Sequence, residues 1–149
     1  MEVSERALAA GIAAGVERLL GLVRSLSPAD GLSLTAAATL ATLERSGPRR
    51  LTGLAVQEGV TQPAMTQLIG RLQDAGLVRR EADPADGRVV QVCLTDRGRD
   101  LLARRRAVRA ERLAVILDRI SPEDRAALSA ALPAIDALAS AQRGVTPTY

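Results

Sequence analysis

Residues 51–94 read LTGLAVQEGVTQPAMTQLIGRLQDAGLVRREADPADGRVVQVCL. Two short helical segments meet at Gly59-Val60-Thr61, and Gly76 stops the second, which is expected over residues 61–75. Thr61 can cap the orphan amides of that helix, and Pro63 sits in its first turn, where an amide has no partner in any case. Met65, Leu68, Ile69 and Leu72 recur at i, i+3, i+4 and i+7, so they form a core face. The opposite face presents Pro63, Thr66, Gln67, Gly70 and Asp74, flanked by Gln62 and Arg71. Two short runs follow, Leu77–Glu81 and Val89–Leu94. They read as the strands of a hairpin whose loop is ADPADGR.

Helix, turn, helix and then a hairpin with a charged tip is the order of a winged helix-turn-helix, which places its second helix in the DNA major groove. A merely solvated helix face carries Lys, Glu or Arg. This one offers amides and hydroxyls near its N-terminus, the groups that hydrogen-bond base edges. Gln62, Thr66 and Gln67 are therefore the expected base readers, and Arg71 and Arg49 the expected phosphate contacts. Arg88 stands just past the hairpin tip, where a guanidinium can enter a narrow minor groove. Asp86, two residues earlier, can hold it in place. Each of these residues also fits a plainer description, a capped helix over a core and a surface Asp-Arg pair. Only their assembled order carries the functional reading.

From Leu34-Thr35 to Leu94-Thr95 the chain resembles the MarR family of bacterial transcriptional regulators. The resemblance rests on LT opening the second helix, TQPAMTQLIGRLQDAGLVRR, DPADGR at the wing and LTDRG opening the fifth helix. Two positions depart from the family pattern: Gln67 stands where a basic residue is frequent, and Ala85 where Arg is frequent. The resemblance implies a two-fold dimer built from the first, fifth and sixth helices. It also implies a repressor released by a small anionic or phenolic effector.

The chain has 149 residues, enough for one domain with a core. Its 20 basic residues are all Arg. Charge is unevenly spread: residues 45–112 hold 14 Arg against 8 acidic residues, and the rest holds 6 against 9. A basic middle between acidic ends fits a DNA-binding segment framed by a scaffold. With no His, neither an ordinary general base near neutral pH nor a His-ligated metal is available, so no enzyme, cofactor or metal is expected. Asp83 and Asp86, on an exposed tip, lack the burial that tunes a catalytic carboxylate. The single cysteine excludes an internal disulfide, and the acidic start MEVSER argues against a secretory signal. A cytoplasmic location is expected.

The fold class expected is mainly α with a small β-hairpin wing (α+β), flanked by dimerisation helices at both ends. The expected division is 1–30 for a dimerisation helix, 31–97 for the DNA-binding domain, and 98–149 for a long helix and a last helix completing the dimerisation layer. In the first helix, Leu8, Ile12, Val16, Leu19, Val23 and Leu26 form an apolar stripe. In the last, Leu128, Leu132, Ile135, Leu138 and Ala139 do so, and Pro133 is expected to kink it. The fifth helix, expected to run to Ile120, is basic at its start and apolar at its end. Its second half is expected to be buried. The tail RGVTPTY is expected to fray. One winged lobe does not need three further amphipathic helices to fold, and an apolar stripe without a partner in the chain implies a second copy. Two recognition helices would then stand about 34 Å apart, matching a near-palindromic duplex site.

Two other readings stand beside this one. A thiol switch would use Cys93, whose place in the wing's second strand, with Val89 and Gln91, leaves it open to exposure; a small strand filler is the plainer account. A winged helix used only for protein interaction would not bind DNA in a salt-dependent way.

Overall fold

The computed structural model describes residues 3–141, so the tail from Arg143 and the expected helix end at Gln142 lie outside the described residues. The elements are α1 (Val3–Leu26), α2 (Leu34–Ser46), α3 (Leu51–Glu58), α4 (Gln62–Asp74), β1 (Val78–Ala82), β2 (Val90–Leu94), α5 (Asp96–Leu117) and α6 (Pro122–Ala141). The class is mainly α with a two-stranded antiparallel hairpin, as expected. No helix among the described residues is long and apolar enough to cross a membrane.

The core lies wholly within the middle of the chain. Leu40 and Leu43 of α2, Leu54 of α3, Met65, Ile69 and Leu72 of α4, and Val78, Val92 and Leu94 of the hairpin close on one another, joined by Leu102 of α5. Each such side chain contributes about 1.5–3 kcal/mol of burial. With no Phe or Trp, branched aliphatic residues fill this volume. Two buried threonines are satisfied locally. Thr39 Oγ1 donates to the Thr35 carbonyl at 2.8 Å, and Thr42 Oγ1 to Glu58 Oε1 at 2.9 Å.

The helix-turn-helix joint is set by backbone chemistry. Gly59 ends α3 at φ 65°, ψ 33°, a left-handed conformation that suits glycine. Thr61 then caps α4, its Oγ1 accepting from the Ala64 amide at 3.3 Å. Gly76, at φ 73°, turns the chain from α4 into β1.

α5 departs from expectation. Its first half is the buried one, at Gly98, Leu102 and Arg105, whereas Val115 is 56% exposed and Leu117 36%. The reason is that α2 and the hairpin surround Leu102, and beyond it no α5 residue joins the core. Polar clamps tie α5 to the end of α1 and to α2 instead. Arg105, 3% exposed, pairs with Asp30, Arg106 with Glu44, and Arg112 Nη1 donates to the Leu26 and Ser27 carbonyls at 3.0 Å each. Burial pushes the Asp30 carboxyl up, but hydrogen bonds from Arg105 and the Leu32 amide outweigh it and hold the group below the usual carboxylate range. The helix also ends at Leu117, short of Ile120. α6 continues through Pro133 to Ala141.

The stripes of α1 and α6 have no cover among the described residues. Leu8, Ile12, Val16 and Leu19 are exposed, as are Leu128, Leu132, Ile135 and Leu138; Leu26, at the end of α1, is buried.

Candidate nucleic-acid interface

α4 meets its core through one face, and Met65, Leu68, Ile69 and Leu72 are all buried as the periodicity requires. That fixes the rotation of the helix. Gln62, Thr66 and Gln67 stand exposed on its outer side, near the capped N-terminus, with Arg71 one turn further on. Thr66 Oγ1 donates to the Gln62 carbonyl at 2.9 Å, one turn back. Its proton is thereby committed, and the free lone pairs make it an acceptor, suited to an exocyclic amine on a base edge. The two glutamine amides can both donate and accept. The Arg71 guanidinium has no hydrogen-bond or ion-pair partner among the described residues.

Asp83 and Asp86 shape the wing tip. Asp83 Oδ1 accepts from the Ala85 amide at 2.8 Å, and Asp86 Oδ1 from the Arg88 amide at 3.1 Å. The loop is closed by Asp83 N–H donating to the Val89 carbonyl at 2.8 Å. Gly87 is not in the left-handed region, so aspartate side chains, rather than a glycine-dependent two-residue turn, make the bend. Arg88 is 93% exposed at its side chain, and its Nε lies 3.3 Å from Asp86 Oδ1, the pairing read from the sequence. At that exposure the pair contributes little to stability.

Asp83 has a part that its loop position did not disclose. Its Oδ2 accepts from Gln91 Nε2 at 3.1 Å and lies 3.9 Å from Arg50 Nη2, which tethers the loop to the start of α3. An Asx residue opening a turn was the available signal.

Arg49, between α2 and α3, joins the sheet. Its amide donates to the Val92 carbonyl at 3.1 Å, and the Val92 amide donates back to its carbonyl at 2.8 Å. It is a one-residue third strand beside β2. Its side chain is exposed next to α3, and no residue partner is recorded for it among the described residues.

LTDRG gains a physical meaning here. Thr95 Oγ1 donates to the Gly76 carbonyl at 2.7 Å and accepts from the Gly98 amide at 3.1 Å, so one hydroxyl caps α5 and pins the turn after α4. Gly98 backs onto the Leu77 carbonyl so closely that a Cβ would lie 2.4 Å from that oxygen. The recognition helix and α5 are therefore fixed to each other across residues 76–98.

Cys93 is 4% exposed, which agrees with the plainer account of a small strand filler and not with the exposed thiol that a switch would need. It sits opposite Arg79 on the outer face of the hairpin, where both faces of β2 are buried at its base. Burial, reinforced by its hydrogen bond to Glu81, raises the thiol pKa above the ordinary value. Glu81 in turn pairs with Arg79, so the arginine's charge is already balanced. Cys93 should react with iodoacetamide at pH 8 at least about tenfold more slowly than an exposed peptide thiol. Labelling at the free-thiol rate would contradict this burial.

Comparison with known proteins agrees with this arrangement. The model of the MarR family matches residues 32–90. The HTH-type transcriptional regulator Mb0904 of Mycobacterium bovis is 34% identical over 128 residues, covering 86% of this chain and 90% of that protein. The HTH-type transcriptional repressor Rv2887 of Mycobacterium tuberculosis is 37% identical over 102 residues, covering 68% and 73%. Among solved structures, that of Rv1404 from Mycobacterium tuberculosis superposes with a TM-score of 0.76 at 29% identity, covering 94% of this chain and 96% of that one. With the capped recognition helix, the aspartate-shaped wing and these relatives in agreement, the chain belongs to the MarR family of transcriptional regulators.

Proposed function

We propose that this protein is a homodimeric, cytoplasmic repressor that binds a near-palindromic duplex site and acts without enzymatic chemistry or a cofactor. Residues 31–97 form the DNA-binding domain, and residues 1–30 and 98–149 supply the dimerisation layer. Gln62, Thr66 and Gln67 read base edges in the major groove. Arg71 and Arg49 hold phosphates, and Arg88, aimed by Asp86, enters the minor groove. The observation that carries this reading is the exposed, uncharged amide-and-hydroxyl surface at the N-terminal end of α4, bordered by Arg71. Repression follows the printed name of the repressor relative. Family membership supports extending the proposal to release by a small anionic or phenolic effector.

The test is equilibrium binding to selected genomic duplexes over a range of salt. The affinity should fall with a log–log slope of about −0.9 per phosphate contacted. Arg88→Ala should weaken every duplex alike, by about tenfold per wing. Gln67→Ala should instead alter preference at one base position, by about 1–3 kcal/mol. Salt-insensitive binding, or unchanged affinity in Arg88→Ala, would overturn the interface as drawn.

A further inference from the structure

Five arginines stand in the wing or at its edge: 49, 50, 79, 80 and 88. Three of them face a carboxylate. Arg79 pairs with Glu81, Arg88 with Asp86, and Arg50 lies 3.9 Å from Asp83. Arg49 and Arg80 have no carboxylate partner among the described residues, and both are exposed.

The sheet places these two in one row. Arg80 pairs with Val92 across the hairpin, and Arg49 pairs with the same Val92 on its other side. Residues directly opposite one another share a face of the sheet, so Arg49, Val92 and Arg80 point the same way. Val92 is 1% exposed and belongs to the core, as do Val78 and Leu94 two residues along that face. The next pair toward the tip, Ala82 and Val90, is already in solvent. The row therefore marks the edge at which the core ends, on the side of the sheet packed against the helices. Two strand spacings, about 9.6 Å, separate the two arginines. Arg79, one residue earlier, belongs to the opposite face and is neutralised there.

Two like charges left without counter-ions at the base of a nucleic-acid-binding wing are complementary to a phosphodiester backbone. We propose that Arg80 is a DNA phosphate contact and forms, with Arg49 across Val92, a two-pronged clamp on the strand lying between α4 and the wing. This rests on the DNA-binding reading above, and it adds a contact that neither the wing tip nor the recognition helix supplies. The clamp carries charge and reach but no base preference.

The experiment compares full-length wild type, Arg80→Ala, Arg80→Lys and Arg79→Ala on one duplex between 50 and 200 mM salt. Circular dichroism checks each variant, and Arg80→Gln replaces Arg80→Ala should the latter not fold. Arg80→Ala should flatten the log–log salt slope by about 0.9 per subunit, so that its deficit against wild type shrinks roughly tenfold across that range for a dimer. Arg80→Lys should keep most of the slope. Arg79→Ala should change it by less than half a unit, and base preference should be unaltered in all three. A wild-type slope in Arg80→Ala, or an equal loss in Arg79→Ala, overturns the clamp. A wild type that ignores salt overturns the DNA-binding reading itself, so the two failures are distinct.

Discussion

Ile12→Asp combined with Leu132→Asp should give a folded monomer that has lost its operator. Both residues lie in stripes that are open in the single chain, at 41% and 59% exposure, and neither belongs to the core. The winged lobe should therefore keep its secondary structure and its main melting transition. In the proposed dimer each substitution appears twice and places a carboxylate in an apolar seam. The loss is at least about 4 kcal/mol, or a thousandfold in the dissociation constant. Operator affinity should fall with it, because linking two half-site binders raises affinity by about 10²–10⁴ through effective concentration alone. Sedimentation and duplex binding at one protein concentration read both effects. A double variant that still sediments as a dimer would mean that α1 and α6 are not the seam.

The second large effect is on stability. Gly98→Ala should destabilise the protein by about 3 kcal/mol or more, lowering the melting temperature by roughly 10 °C. The added Cβ would lie 2.4 Å from the Leu77 carbonyl oxygen and 2.5 Å from Leu94 Cδ1. The leucine can turn away. The carbonyl cannot, since it accepts from the Thr95 amide at 3.1 Å and follows the turn that ends α4. Gly70→Ala makes the contrast. It is a helical glycine with nothing within 4 Å of the added atom, and alanine there should stabilise the helix by about 0.5–1 kcal/mol. A Gly98→Ala protein that melts within 2 °C of wild type would show that α5 is free to shift away from Leu77.

Fold and interface were legible in the sequence to different depths. The i, i+3, i+4, i+7 spacing of Met65, Leu68, Ile69 and Leu72 set the rotation of α4, and hence which of its residues face outward, without any long-range information. The Asp86–Arg88 pairing was legible for the same reason, since two residues separate the partners. The place of Arg49 in the sheet was not legible, because its bridge is one residue long and exists only through hydrogen bonds to Val92, far along the chain. Arg80 went unremarked because its meaning depends on register with that same residue. For Cys93, period-2 alternation gave the face but left the exposure open, because β2 is covered on both sides at its base.

The local elements were readable from the order of residues alone: helix faces, caps, the Gly59 and Gly76 breaks, and the order that places a wing after a recognition helix. These depend on near neighbours, which a one-dimensional pattern records. Three facts came from the packed fold: which half of α5 is buried, that Asp30 meets Arg105 across 75 positions, and that Gly98 must lack a side chain. Those facts depend on which surfaces close on one another. Burial and close approach act between atoms adjacent in space, and the spacing of residues along the chain does not encode that adjacency.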